Sequence, residues 1–404
     1  MKLFRALRLR PFALLWTGQS LSRLGDFIYE IALAWWVLQK TGSAQTMSLV
    51  IIFSITPAVL FAVIGGVTVD RVSRPGLMLA SDVSRAGVAL AVAALGFAGR
   101  LEVWHIFLAS LIFGFVDAFF QPAYAALIPQ IVPEDDLPSA NSLTSLSVNL
   151  SRVAGPAVGA ALVALIGPAA AFGLNGLSFV ASAALLLPLL TAVPARPAAS
   201  GERASPWRDL RQGFATVLSV PWLWVSILIF GLTNITLSGP YSVAMPFLVS
   251  NSLKADVGTL GLLYAAFPAG YVISGIWLGR YPRLRRRGPL MYVSVALAAL
   301  MLAVFGILPP LWVLVAAALM NGIALQAGQL VWTNSLQSMV PNDQLGRVVS
   351  IDSLGSFGLL PIGYALTGWA TQQLGPPAVF LFGGLFTAAV CLLALVHPAI
   401  RGLD

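Results

Sequence analysis

Ile131-Val-Pro-Glu-Asp-Asp-Leu137 and Met339-Val-Pro-Asn-Asp-Gln-Leu345 read as one short polar loop written twice, with a long apolar run on either side of each copy. The copies lie 208 residues apart. The same separation relates Trp104 to Trp312, Gly114 to Gly322, Pro133 to Pro341, Leu137 to Leu345 and Gly155 to Gly363. Nearer the N-terminus the register drifts slightly, so that Gly66, Arg71 and Arg74 match Gly275, Arg280 and Arg283, and Pro11 matches Pro221. Small loop indels give such a drift. Apolar chains match by chance easily, but a tryptophan pair inside an ordered series is less readily produced that way. The chain therefore reads as a duplication of one half.

Composition says what solvent the repeat lives in. Of the 404 residues 58% are hydrophobic and 9% charged, and the mean hydropathy is +0.88. A water-soluble domain carries roughly 25% charged residues, so the natural solvent here is lipid. Apolar runs fall near 11–38, 46–68, 76–98, 104–128, 139–165 and 169–192, then near 220–249, 257–279, 289–308, 311–338, 345–370 and 376–398. Each is long enough for the roughly 20 residues a spanning helix needs. In hydrocarbon the backbone must satisfy itself, which makes these runs helices; the short alternating strands of a membrane barrel are not seen. The expected fold is an all-α membrane protein of twelve transmembrane helices in two six-helix pseudo-repeats. The expected domains are 1–193, a six-helix bundle, a cytoplasmic linker over 194–215, and 216–404, a second six-helix bundle. The basic N-terminus, Met1 to Arg10, leads into a span that is retained rather than cleaved.

The net charge of +8 is explained by orientation rather than by nucleic acid. Lys40, Arg100 and Lys254 fall on one side of the spans, and Arg23, Arg85 and Arg152 inside them; every other Lys and Arg falls on the other side. Basic loops stay inside, which places both termini in the cytoplasm and the chain in the inner (plasma) membrane as a multi-pass protein. The single cysteine, Cys391, excludes an internal disulfide or a cysteine metal cluster, and no cofactor is implied.

The loop Gly66-Val-Thr-Val-Asp70-Arg71-Val-Ser-Arg74 resembles the signature of the major facilitator superfamily, with Ser73 in place of a glycine and Pro75 in place of a basic residue. Arg152-Val-Ala-Gly155-Pro156-Ala-Val-Gly159 looks like the Gly-Pro motif of exporting antiporters. The stretches "LSRLGDFIYEIALAWWVLQKTGSA" and "FGFVDAFFQPAYAALIPQIVPEDDL" are similar to the drug–proton antiporter branch that holds macrolide-efflux and enterobactin-exporting proteins. The resemblance covers the whole chain. It implies a monomeric transporter that exports by alternating access, and a cytoplasmic gate at Gly66, Asp70, Arg71 and Arg74. Asp352, near the cytoplasmic end of segment eleven, is a candidate to join that gate. One departure is that segment four carries Asp117 where many such antiporters carry an arginine, so their coupling scheme does not transfer.

Charges inside spans are expensive, about 2.5–3.5 kcal/mol each on insertion scales, and usually face the bundle interior. Gln19, Arg23, Asp26 and Glu30 are spaced 4, 3 and 4 residues apart and so share one helical face. Arg23 is placed to pair with Asp26, which leaves Glu30 without a local partner and able to load and release a proton. A structural stripe packing on another helix explains the same spacing. Asp117 and Gln121 share a face of segment four; Arg152 is a candidate partner for Asp117, either as a structural bridge or in coupling. Asp82 and Arg85, one turn apart, read as a self-neutralising structural pair. The second half offers Asn234, Gln326, Gln329 and Trp332 instead, a lining of amide and ring that suits a large, weakly polar substrate; Trp332 is equally readable as a membrane-interface anchor.

These residues give neither a nucleophile–base pair nor a phosphate loop, so an enzyme or ATP-driven pump is not expected. The reading is proton-coupled export of lipophilic small molecules such as drugs, macrolide-like compounds or a siderophore. A lipid or lysolipid flippase of the same fold is the alternative.

Overall fold

The structure, a computed structural model, describes residues 3–69, 71–192, 206–278 and 286–404. All regular structure among them is helical. The helices are α1 (Arg10–Thr41), α2 (Ala44–Val69), α3 (Arg74–Phe97), α4 (Val103–Ile131), α5 (Leu137–Leu165), α6 (Pro168–Ala192) and α7 (Pro206–Ser219). They continue as α8 (Pro221–Ser252), α9 (Val257–Leu278), α10 (Arg287–Ile307), α11 (Leu311–Met339), α12 (Asn342–Phe357), α13 (Leu360–Leu374) and α14 (Pro376–Ala394). Eleven stretches of the described residues are long and apolar enough to cross a membrane. α1 is not among them, because Arg23, Asp26 and Glu30 interrupt its apolar run, yet at 32 residues it has the length.

Two local differences from the sequence reading have simple causes. The expected linker runs into a helix, α7, whose Gly213 packs against Arg347 and Ile351 of α12. The eleventh apolar run is two helices rather than one, divided between Phe357 and Leu360, where Gly358 weakens the helix and Pro361 starts the next. Between α1 and α2 the chain turns at Gly42, whose φ of 60° is the left-handed conformation that closes a helix cheaply only with glycine.

By contacts the chain divides into two compact units: Met1–Gly42, Leu49–Ser200 and Val257–Ala265 form one, and Ser43–Ser48, Gly201–Asp256 and Ala266–Asp404 the other. Inside the first, α1 packs on α5 and α6, and α3 on α4 and α6. Inside the second, α8 packs on α13 and α14, and α10 on α11 and α14. The duplicated sequence thus repeats the same internal packing.

The repeated glycines show why. In lipid, helices associate through close backbone approach at small residues rather than through a hydrophobic force. A Cβ added to Gly114 of α4 would collide with the Ser54 carbonyl of α2, and one on Gly322 of α11 with the Phe267 carbonyl of α9. Likewise Gly155 of α5 sits on Phe27 of α1, and Gly363 of α13 on Ile235 of α8. Phe27 and Ile235 are themselves 208 residues apart, so both partners of the crossing are in register. Large apolar side chains point outward along the helices, among them Leu60, Leu165 and Leu393, the inverse of what water would tolerate. Trp104 and Trp312, at the starts of α4 and α11, are 60% and 75% exposed, as interfacial anchors require.

Candidate transport site

In the first unit the polar residues converge from α1, α3, α4, α5 and α6. Arg85 donates to Asp82 at 2.6 Å, and Ser182 of α6 donates to the other carboxylate oxygen at 2.6 Å. Gln19 of α1 donates to Ser182 at 3.0 Å. The Arg85 guanidinium lies 4.2 Å from the Phe120 ring centroid and 4.6 Å from that of Phe179. Asp82 is fully buried. The expected self-neutralising pair is therefore also a bolt joining α1, α3 and α6, its cation held between two rings.

Gln19, from the polar stripe of α1, is buried in that network with its amide donating to Ser182. The rest of the α1 stripe is divided. Arg23 stands over the Tyr124 ring of α4 at 5.4 Å. Among the described residues no ion pair joins it to Asp26, contrary to the spacing argument. The reason is directional: helix side chains lean toward the N-terminus, so the long Arg23 side chain reaches away from the short Asp26 one turn later. The Asp26 carboxylate lies in a charged neighbourhood with Arg85, Asp117, Arg23 and Asp82, drawn from α1, α3 and α4.

Asp117 accepts from Gln121 at 2.9 Å, which confirms their shared face. Arg152, its candidate partner, is instead 5.9 Å from the Phe27 ring centroid of α1. The Gly-Pro stretch causes this. Gly155 and Gly159 let α5 press onto α1, where a Cβ on Gly159 would stand 2.9 Å from the Ile28 carbonyl oxygen, and Arg152 is carried to the α1 side. Glu30 is exposed and Asp26 half-buried. Among the described residues Asp26, Glu30 and Asp117 form no ion pair.

Three contributors carried little sequence signal. Ser182 sits in an apolar span, and serine there usually bonds its own helix. Tyr29 packs against Phe113 and Phe172 at 5.4 and 5.2 Å, with a buried hydroxyl that has no hydrogen-bond partner among the described residues. Asn175 is wholly buried with its Nδ2 unpartnered in the same sense; an amide in an apolar span was the available clue.

In the second unit Trp332 is 4% exposed, which rules out an interface anchor. Its ring meets Phe230 at 5.2 Å and Trp222 at 5.7 Å, edge to face. Its indole N–H donates to Asp352 at 3.0 Å, and Ser356 donates to the same carboxylate at 3.1 Å. Trp332 is thus a core residue that holds Asp352, and no longer a broad lining surface. Asn234 donates to the Ser356 carbonyl at 3.0 Å. Gln326 is half-buried and Gln329 exposed, one turn apart on α11.

Of the gate motif, Asp70 lies outside the described residues. Arg71 is exposed, and Arg74 donates to the Ala126 carbonyl at 2.7 Å, tying the start of α3 to α4. A Cβ on Gly66 would meet open space, so packing does not demand glycine there. Ser73 caps α3 by accepting from the Gly76 amide at 3.3 Å, which gives the residue replacing the signature glycine a role of its own. Asp352 accepts its hydrogen bonds from Trp332 of α11 and Ser356 of α12.

A bundle of lipid-facing helices, built twice and carrying interior carboxylates, defines a membrane transporter. The chain belongs to the transmembrane secretion effector family of major facilitator transporters, whose model matches residues 2–401. It is 24% identical over 400 residues to macrolide efflux protein A of Streptococcus pyogenes, covering 97% of each chain. It is 30% identical over 347 residues to the enterobactin exporter EntS of Escherichia coli O1:K1, covering 83% of this chain and 79% of that one. Its fold is shared with a bacterial homologue of the iron transporter ferroportin in an inward-facing state, with TM-score 0.71, 18% identity and 95% and 98% of the two chains covered. The nucleoside transporter NupG shares it too, with TM-score 0.70, 14% identity and 96% and 98% coverage. These relatives and neighbours are transporters, not enzymes.

Proposed function

We propose that the protein exports lipophilic small molecules from the cell by proton-driven alternating access, with coupling in the first unit and substrate accommodation in the second. The observation that carries this reading is the set of three carboxylates, Asp26, Glu30 and Asp117, on the membrane-spanning helices α1 and α4 of the first unit with no ion-pair partner among the described residues. A carboxylate that no fixed cation neutralises is costly in a membrane interior unless it exchanges a proton. Arg23 and Arg152 modulate the set electrostatically, and Gln121 orients Asp117. The names of the relatives support a drug-like or siderophore cargo. In the second unit Gln326, Gln329 and Asn234 supply amides that orient a large cargo. The basic loops support an inner-membrane placement with both termini cytoplasmic, and the loop around Asp70, Arg71 and Arg74 acts as the cytoplasmic gate of a monomer whose two halves rock about the cargo.

The test is transport in proteoliposomes under an imposed pH gradient, with lipophilic dyes and a labelled lysolipid. Dye movement that follows the gradient and is lost in Asp26→Asn and Glu30→Gln is the expected result. Lysolipid movement indifferent to the gradient replaces this reading with a flippase.

A further inference from the structure

The chain enters α1 through a segment that is held in place and yet turns its cations outward. Among the first ten residues Lys2, Arg5, Arg8 and Arg10 are basic and none is acidic. Arg5–Arg8 forms one tight helical turn ahead of α1. Ser139 of α5 clasps this turn, accepting from the Ala6 amide at 3.1 Å and donating to the Leu3 carbonyl at 2.6 Å. Ala6 is wholly buried, and Leu7 and Leu9 pack on the core that holds Phe12 and Leu15. Leu3, Phe4, Arg8 and Arg10 are left exposed.

The acids of the loop before α5 do not neutralise these two arginines. Asp136 is taken by Arg5 at 2.6 Å. Arg8, Arg10, Glu134 and Asp135 are all exposed, and none of the four forms an ion pair among the described residues.

The second unit shows that packing does not demand cations there. In the register set by Pro11 and Pro221, α7 takes the place of the N-terminal turn. Thr216 of α7 donates to Gln344 at 3.1 Å, and Gly213 packs on Arg347. Gln344 and Arg347 lie 208 residues after Asp136 and Ser139, so the clasp itself is repeated. The positions of Arg8 and Arg10, however, are taken by Leu218 and Val220. The same packing is built without the two charges.

Exposed arginines together with an exposed Leu and Phe, at the foot of a span, have the composition of an interfacial segment. A guanidinium matches a phosphate bidentately, and the apolar pair matches the acyl boundary beneath a headgroup. Because the Ser139 clasp already orders the backbone, binding there costs little ordering entropy.

We propose that Arg8 and Arg10 bind the phosphate headgroup of an anionic phospholipid, with Leu3 and Phe4 set into the acyl boundary beneath it. The lipid so held braces the foot of the α1–α5 pair, whose seam continues from the Trp16 indole to the Leu143 carbonyl at 3.0 Å and from Ser147 to Ser20 at 2.5 Å. That the leaflet is the cytoplasmic one rests on the placement of the N-terminus proposed above; the site itself does not.

The test is native mass spectrometry of the full chain in detergent, with phosphatidylglycerol and phosphatidylcholine of identical acyl chains as probes. The unaltered chain retains phosphatidylglycerol in preference. Arg8→Gln with Arg10→Gln lowers that preference by about tenfold or more, since each cation near a headgroup contributes about fivefold. Arg8→Lys with Arg10→Lys keeps most of it, and Arg401→Gln, at an exposed cation elsewhere, leaves it within about twofold of the unaltered chain. An unfolding temperature in detergent equal to that of the unaltered chain shows the glutamine double variant to be folded; where it is not, the single variants Arg8→Gln and Arg10→Gln carry the test, each with a loss of about fivefold. An undiminished preference in the glutamine variants overturns the proposal, as does equal retention of both lipids by the unaltered chain. Labelling of Leu3→Cys by an impermeant maleimide in intact cells rejects the cytoplasmic placement, while the retained lipid still decides the site.

Discussion

Arg85 donates to Asp82 across 2.6 Å in a pair whose side chains are 8% and 0% exposed, and the carboxylate is shared with Ser182 of α6. Such a pair contributes little net stability but is expensive to break, because each partner leaves behind an uncompensated buried charge. Arg85→Ala is therefore expected to destabilise by about 3–5 kcal/mol. Asp82→Asn with Arg85→Met, which removes both charges, recovers most of the loss. Thermal unfolding of the purified variants in detergent checks this; a double variant no better than Arg85→Ala counts against the charge-pair account.

The Arg5–Asp136 ion pair, 2.6 Å long with Arg5 58% exposed, is the opposite case. Solvent screens it, so Arg5→Ala is expected to shift stability by about 1 kcal/mol or less. The difference should shrink further in high salt. Unfolding curves at two ionic strengths read both effects.

Two glycines that look alike in sequence should behave oppositely. Gly322→Ala drives a methyl into the Phe267 carbonyl, whereas Gly275→Ala meets open space. The first should cost a large fraction of the stability and the second almost none, or even stabilise the helix, since alanine is the better helix former by about 1 kcal/mol. Gly114 and Gly66 form the matching pair in the first unit, and the four single variants measured together test the repeat itself.

Cys391 is the only cysteine and is fully buried in α14. A thiol-reactive maleimide should label the folded protein very slowly, and the signal should rise only as the second unit opens on heating. Fast labelling at room temperature contradicts the packing of α14 against α10.

The sequence alone settled the solvent, the repeat and the helical class, because these depend on composition and periodicity, which are local. A run near 311–338 cannot be anything but a spanning helix, and a loop written twice marks a duplication wherever the halves sit. It also marked Asp26, Glu30 and Asp117 as costly, since a charge in an apolar run is visible without coordinates. Which charge meets which was decided by tertiary structure. Arg23 lies one turn from Asp26 and still reaches Tyr124, because a side chain's direction and the helix crossing it determine its partner. Arg152 is brought against Phe27 by two glycines that let α5 close on α1, and Trp332, readable as lining or anchor, is sealed by Phe230 and Trp222. Spacing places residues on a face of one helix; only packing decides what that face sees.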